Sequence, residues 1–133
     1  ALLTVTGVAS LSADTVQFTS SGEATTLFGL MVPKGLSILM QGTGAIAPIH
    51  YGDGLRCAGG DLKRLYTKVS VGGVSVAPQA GDLSISARSA QLASPIPLGA
   101  TRPYQVHYRD GAAAFCPSPS GSTFNVSNGQ MIV

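Results

Sequence analysis

Tryptophan is absent from this sequence, aromatic residues make up only 6% of it and charged residues only 11%. An average soluble domain carries about 25% charged residues, so electrostatics is not the main means by which this chain meets other molecules. Lys63, Arg64 and Lys68 form its only basic cluster, and unbroken strand alternation would put Lys63 on one face with Arg64 and Lys68 on the other. That dispersal argues against a basic stripe for nucleic acid. Sugar-binding β domains stack their ligands on exposed aromatic platforms, so the missing tryptophan counts against that activity as well. A surface this poor in charge is unusual for a free monomer and points to a face covered by assembly or by sugar.

Long apolar runs are missing too. Apolar residues reach 44%, but Gly, Ser and Thr break them into runs far short of the roughly 20 residues of a membrane helix, so no membrane insertion is expected. The start, Ala1-Leu2-Leu3-Thr4-Val5-Thr6, lacks the basic and apolar regions of an export signal and reads as the start of a processed chain.

Histidine is scarce, with only His50 and His107 to act as a general base. Nucleophilic catalysis needs a base beside a hydroxyl or thiol and a third group to orient it. Neither histidine has such a setting, so the chain is not expected to be an enzyme or to take a cofactor. A metal site could be imagined from Asp53, Asp61 and Asp110 with the two histidines, since hard cations favour oxygen ligands on glycine-rich loops. Asp53-Gly54 does not continue into the acidic ladder of a calcium loop; no metal is expected, and the pair reads as a turn with Arg56 or Arg109 as charge partner.

The two cysteines, Cys57 and Cys116, are far apart and lack metal-ligand spacing, so a disulfide is expected. Closing that loop would stabilise the fold by about 4 kcal/mol in the chain-entropy model. Two buried free thiols in a reducing compartment are the alternative.

What the chain does contain is alternation with period two. In Val69-Ser70-Val71-Gly72-Gly73-Val74-Ser75-Val76 two valine-serine alternations mirror each other about a Gly-Gly pair. Glycines accept the positive φ angles of a two-residue hairpin turn, so Val71 should face Val74 and Val69 should face Val76, with Ser70 and Ser75 on the other face. Further strands are expected near residues 2–8, 13–19, 26–32 and 35–41, over Leu83, Ile85 and Ala87, over Tyr104, Val106 and Tyr108, and from Phe124. Helix should be nearly absent. Regularly spaced Gly and Pro between these segments match an all-β, two-sheet β-sandwich or jelly roll, formed as a single domain over residues 1–133. Residues 49–60 read as a glycine-dense loop and residues 112–121 as a loop rich in Pro, Ser and Ala; the disulfide would tie the two together.

Within this frame Tyr104 and Tyr108 share a face with Val106 and read as core, whereas His107 should point to solvent. Tyr51, in the glycine-dense loop, is the candidate for an exposed ligand contact. Asn125-Val126-Ser127 has the spacing of an N-glycosylation acceptor at Asn125, and Ser118, Ser120, Ser122 and Thr123 sit in a proline-spaced stretch suited to O-linked sugar. The chain ends are apolar: Leu2, Leu3, Val5 and Val8 at one, Met131, Ile132 and Val133 at the other. Such terminal strands either complete their own sheet or cross into a neighbouring subunit.

Six blocks carry a resemblance: residues 12–21, YGDGLRCAGG from Tyr51, LKRLY from Leu62, RPYQVHYRD from Arg102, FCP from Phe115 and FNVSNG from Phe124. In order and spacing the chain resembles an uncharacterised group of secreted bacterial β-sandwich domains, often found at the C-terminal end of large exported proteins. The resemblance implies export, β architecture and the disulfide, and names no ligand. Such domains often finish on a Trp, where this sequence has Val133. The resulting expectation is a secreted, cell-surface structural subunit that polymerises with copies of itself through β-strand edges or exchanged terminal strands. The alternative is a cell-surface glycan- or protein-binding module working through Tyr51.

Overall fold

The computed structural model describes residues 1–27, 30–31, 34–110 and 121–133. Among them lie twelve strands and one helix, and every strand pairing is antiparallel. The protein is all-β in class. Strands β1 (Leu2–Thr6), β2 (Gln17–Ser21) and β9 (Ser75–Ala77) form one sheet in the order β1-β2-β9. A second runs β11 (Phe124–Val126), β10 (Arg102–Arg109), β5 (Lys34–Gln41), β8 (Lys63–Val71), with β12 (Gln130–Ile132) also pairing with β10. Two short hairpins complete the strands, β3 (Thr26–Leu27) with β4 (Leu30–Met31) and β6 (Gly44–Tyr51) with β7 (Gly54–Gly59).

The main core gathers Leu3, Val16, Phe18 and Ala77 from around the first sheet with Leu39, Tyr66, Tyr104, Val106 and Tyr108 of the second. Tyr104 and Tyr108 are therefore core residues, as their alternation with Gln105 and His107 implied. A smaller cluster lies on the opposite face of the second sheet, where Ile38, Met40 and Val126 are covered by Tyr51 and Leu62. Strand β5 is thus buried on both faces along part of its length.

The Gly-Gly turn forms as expected with Val71 opposite Val74, but the pairing stops there: β8 stays in the second sheet and β9 joins the first, so Val69 pairs with Leu36 and Val76 with Thr19 rather than with each other. Val71 and Val74 exchange backbone hydrogen bonds of 2.9 and 3.1 Å, and Gly72 and Gly73 take φ of 58° and 78°, the double positive φ of a type I′ turn. The serines are the buried face: Ser70 and Ser75 are 1% and 7% exposed, whereas Val69, Val71 and Val74 are 55%, 61% and 42% exposed. A buried carboxylate explains the polarity of that face. Glu23, 4% exposed, accepts from Ser37 Oγ at 2.8 Å and Ser75 Oγ at 2.9 Å, and apolar side chains there would leave it unsolvated.

Several expectations are corrected. Residues 83–87 do not form a strand, because Ile85–Gln91 is helix α1, capped by Ser84. Its inward stripe is Ile85, Ser89 and Leu92, at helical spacing. The central position is a serine, fully buried and bonded to Gln41 Oε1 at 2.7 Å, so hydropathy alone did not show the stripe. Residues 49–60 are no loop but most of the β6-β7 hairpin, turning at Gly52 and Asp53 with Gly52 at φ 62°, the type II′ solution. A register shift opposite Leu39 and Met40 makes Leu65 a bulge residue, so Leu65 and Tyr66 are both buried. The extra residue reverses parity: Arg64 faces outward with Val69, and Lys68 lies on the inner side, paired with Asp82. The expected disulfide falls outside the described residues at Cys116. Cys57 is half-buried on β7.

Candidate functional site

Two regions gather the sequence-predicted residues. The first is where β11 crosses the tip of the β6-β7 hairpin. A side chain at Gly52 would put Cβ 2.3 Å from the Phe124 carbonyl oxygen, and one at Gly54 would put it 2.5 Å from Asn125 Oδ1; only glycine admits this crossing. Asp53 locks it, accepting from the Ser122 N–H at 2.5 Å while its own N–H donates to Phe124 O at 3.1 Å. Asp53 thus has a backbone partner rather than Arg56 or Arg109.

The crossing brings three rings together. His107 stacks on Phe124 at 5.1 Å and 26°, and Tyr51 meets both edge-on, at 5.9 Å from His107 and 5.2 Å from Phe124. Arg56 lies over the Tyr51 ring at 5.3 Å, within cation–π range. Tyr51 is therefore a half-buried member of a cluster rather than a free loop side chain, and His107 is not solvent-facing. Arg56, Arg64 and Arg109 surround these rings, and none has an ion-pair partner among the described residues. The expected pattern placed His107 opposite the tyrosines correctly; what it missed was that the hairpin covers that face.

Burial, followed by the positive charges of Arg64 and Arg109, pushes the His107 imidazole below its ordinary value of 6.5. The folded protein holds this ring neutral while the unfolded chain takes up a proton more readily. Its contribution is fully present above about pH 6.5 and declines as pH falls toward the lowered folded value. The melting temperature should therefore drop between about pH 7.5 and about pH 5, and His107→Phe should flatten that slope in a calorimetric series. An equal slope in both proteins would remove His107 from the account.

The second region is the chain ends. Leu3 is fully buried, Val5 and Ile132 pack against the core, and Leu2, Val8, Met131 and Val133 are exposed. Both terminal strands pair within the chain, β1 with β2 and β12 with β10. The outward edge of β1 is also occupied at Leu3. Its N–H donates to Asn128 Oδ1 at 2.6 Å, and its carbonyl accepts from Asn128 Nδ2 at 3.1 Å and Gln130 Nε2 at 2.9 Å. A carboxamide here takes the place of a neighbouring strand, one way of blunting a sheet edge. Leu3 is thus a core residue of its own chain with a closed edge.

The remaining candidates are dispersed. His50 is exposed, Asp61 pairs with Lys63 at 3.1 Å, and Asp110 N–H donates to Thr123 O at 3.0 Å. Among the described residues no three His, Cys, Asp or Glu side chains converge as metal ligands. Asn125 is half-buried, its Oδ1 accepting from the Val126 N–H at 2.7 Å. Ser118 and Ser120 lie outside the described residues. Among the described residues no helix is long and apolar enough to cross a membrane. Comparison with protein-family models, with curated proteins and with solved structures finds no match to this chain.

Proposed function

We propose that this chain is a secreted structural subunit, a two-sheet β-sandwich of jelly-roll type that associates with copies of itself into a cell-surface layer or filament. The observation that carries the reading is the inverted valine-serine hairpin. Leu36 and Val69 are paired neighbours on the second sheet, 40% and 55% exposed, and Val71 and Val74 continue the patch at 61% and 42%. This is the part of the outer face that the β6-β7 hairpin leaves open, on β8, the last strand of its sheet. An apolar strip on an edge strand is a template for pairing unless it is blunted, and β1, by contrast, is blunted by Asn128. The association we propose therefore runs through the β8 surface, with Leu2, Val8, Met131 and Val133 as further exposed apolar contacts and the terminal strands retained in their own subunit.

Val69→Lys combined with Val71→Lys should leave the far-ultraviolet circular dichroism unchanged and abolish assemblies seen by electron microscopy and sedimentation. Filaments or layers from the doubly charged variant would sink the β8 route, and a wild-type chain monomeric at all concentrations would sink self-association.

The second reading is a cell-surface glycan- or protein-binding module. Its support is the Tyr51, His107 and Phe124 cluster with three arginines that have no acidic partner among the described residues, a surface suited to a ligand bearing negative charge. Binding by monomer on a glycan array, lost in Tyr51→Ala, would favour it.

A further inference from the structure

We propose that the cleft between the β1-β2 connection, helix α1 and the segment leading into β10 binds a short aliphatic carboxylate, its tail among apolar walls and its head on Arg102 and Tyr104. The cleft has a volume of about 110 Å³ and is walled by Val16, Ile85, Ile96 and Ile132. Engineered cavities of about 150 Å³ take a benzene ring, so this one suits a tail of about four to six carbons.

The head group follows from two polar side chains that line the same cleft. Arg102 is only 9% exposed. Its guanidinium donates to two backbone carbonyls, Thr43 O and Pro95 O, each at 3.2 Å, and its buried Nε has no partner. Among the described residues the ion pairs are Lys63 with Asp61 and Lys68 with Asp82, so the Arg102 charge is unbalanced. Tyr104, 1% exposed, accepts from Gln41 Nε2 at 2.9 Å, and among the described residues no acceptor receives its own hydroxyl proton.

A buried guanidinium without a counter-charge is costly, and its planar fork matches a carboxylate better than any neutral group. Asp14 also lines the cleft, but its two oxygens already accept from the N–H groups of Val16 at 3.1 Å and Ser86 at 2.8 Å. Among the described residues neither oxygen pairs with Arg102, and the donors left over, the Arg102 Nε–H and the Tyr104 hydroxyl, suit an anion. Leu98, 90% exposed at the mouth, would close over the tail.

The test is titration of the intact chain with valerate, pentan-1-ol and acetate, followed by amide chemical shifts and calorimetry. Valerate should saturate, move amides around the cleft, and bind about tenfold or more tighter than pentan-1-ol, the difference expected of hydrogen bonds to a charged head. It should also bind tighter than acetate. Arg102→Gln should erase the preference of acid over alcohol. Because Arg102 also ties Thr43 and Pro95, the wild-type comparison of acid with alcohol stands as the readout independent of any variant. Equal affinity for valerate and pentan-1-ol, absence of saturation, or shifts lying elsewhere would overturn the proposal.

Discussion

Gln105→Leu should destabilise the protein by about 4 kcal/mol or more and release the β6-β7 hairpin from the sheet beneath it. Gln105 is 1% exposed and sits on the outer face of β10. Its Oε1 accepts from the N–H groups of Cys57 at 2.8 Å and Ala58 at 3.0 Å, and its Nε2 donates to Leu55 O at 3.1 Å and Ser127 O at 2.9 Å. One carboxamide thus satisfies four backbone groups and joins the hairpin to the main sheet, which shares no ladder with it. Leucine fills a similar space but leaves all four groups without partners, at about 1–3 kcal/mol each where they stay buried. Urea unfolding gives the total, and hydrogen exchange should show the Cys57 and Ala58 amides losing protection first. A loss below about 1 kcal/mol would mean that the apolar cluster of Ile38, Met40 and Val126 holds the hairpin by itself.

Phe18→Ala is expected to cost about 4 kcal/mol, at the level of large-to-small changes in rigid cores. Phe18 is 1% exposed, in register with Val5 and Ala77 on either side, and its ring lies 4.7 Å from that of Tyr104 at 36°. It is the aromatic that the first sheet sends against the tyrosines of the second. Flanking strands paired on both sides cannot close over the void. Phe18→Leu should cost about 1–1.5 kcal/mol, so the ratio of the two losses in chemical denaturation reports how rigid the contact is. Comparable losses would show a core that collapses freely.

The period-two signal made the strand framework readable. Residues 69–76 yielded the Gly-Gly turn and the Val71–Val74 pair, though not the parting of β8 and β9 into different sheets, and the alternation of Tyr104, Val106 and Tyr108 yielded the buried face of β10. Three things were hidden, each for a physical reason. The hairpin's buried face carries serines because Ser75 bonds the buried Glu23 and Ser70 the Gly35 carbonyl, partners far off in sequence. Helix α1 presents a serine at the middle of its stripe, bonded to Gln41, so its apolar period is broken. The bulge at Leu65 changes the parity of β8 without any glycine or proline to mark it.

The candidate sites were readable to a lesser degree. Tyr51 and His107 were both noticed, but their meeting depends on β11 crossing glycines of the hairpin, which no spacing reveals. Arg102 drew no attention in the sequence, since only burial distinguishes an unbalanced guanidinium from an ordinary surface arginine.

The side-chain splice at Leu3 has a mechanical consequence. Strand β1 is held by five paired positions along β2 and, on its other edge, by Asn128 and Gln130 at a single residue. Tension applied along the strand loads these bonds in shear, so they share the force and must yield together rather than unzip in turn. In a subunit under pull, the first strand would act as an anchor gripped from both sides, and Asn128→Ala together with Gln130→Ala would turn that grip into a one-sided one.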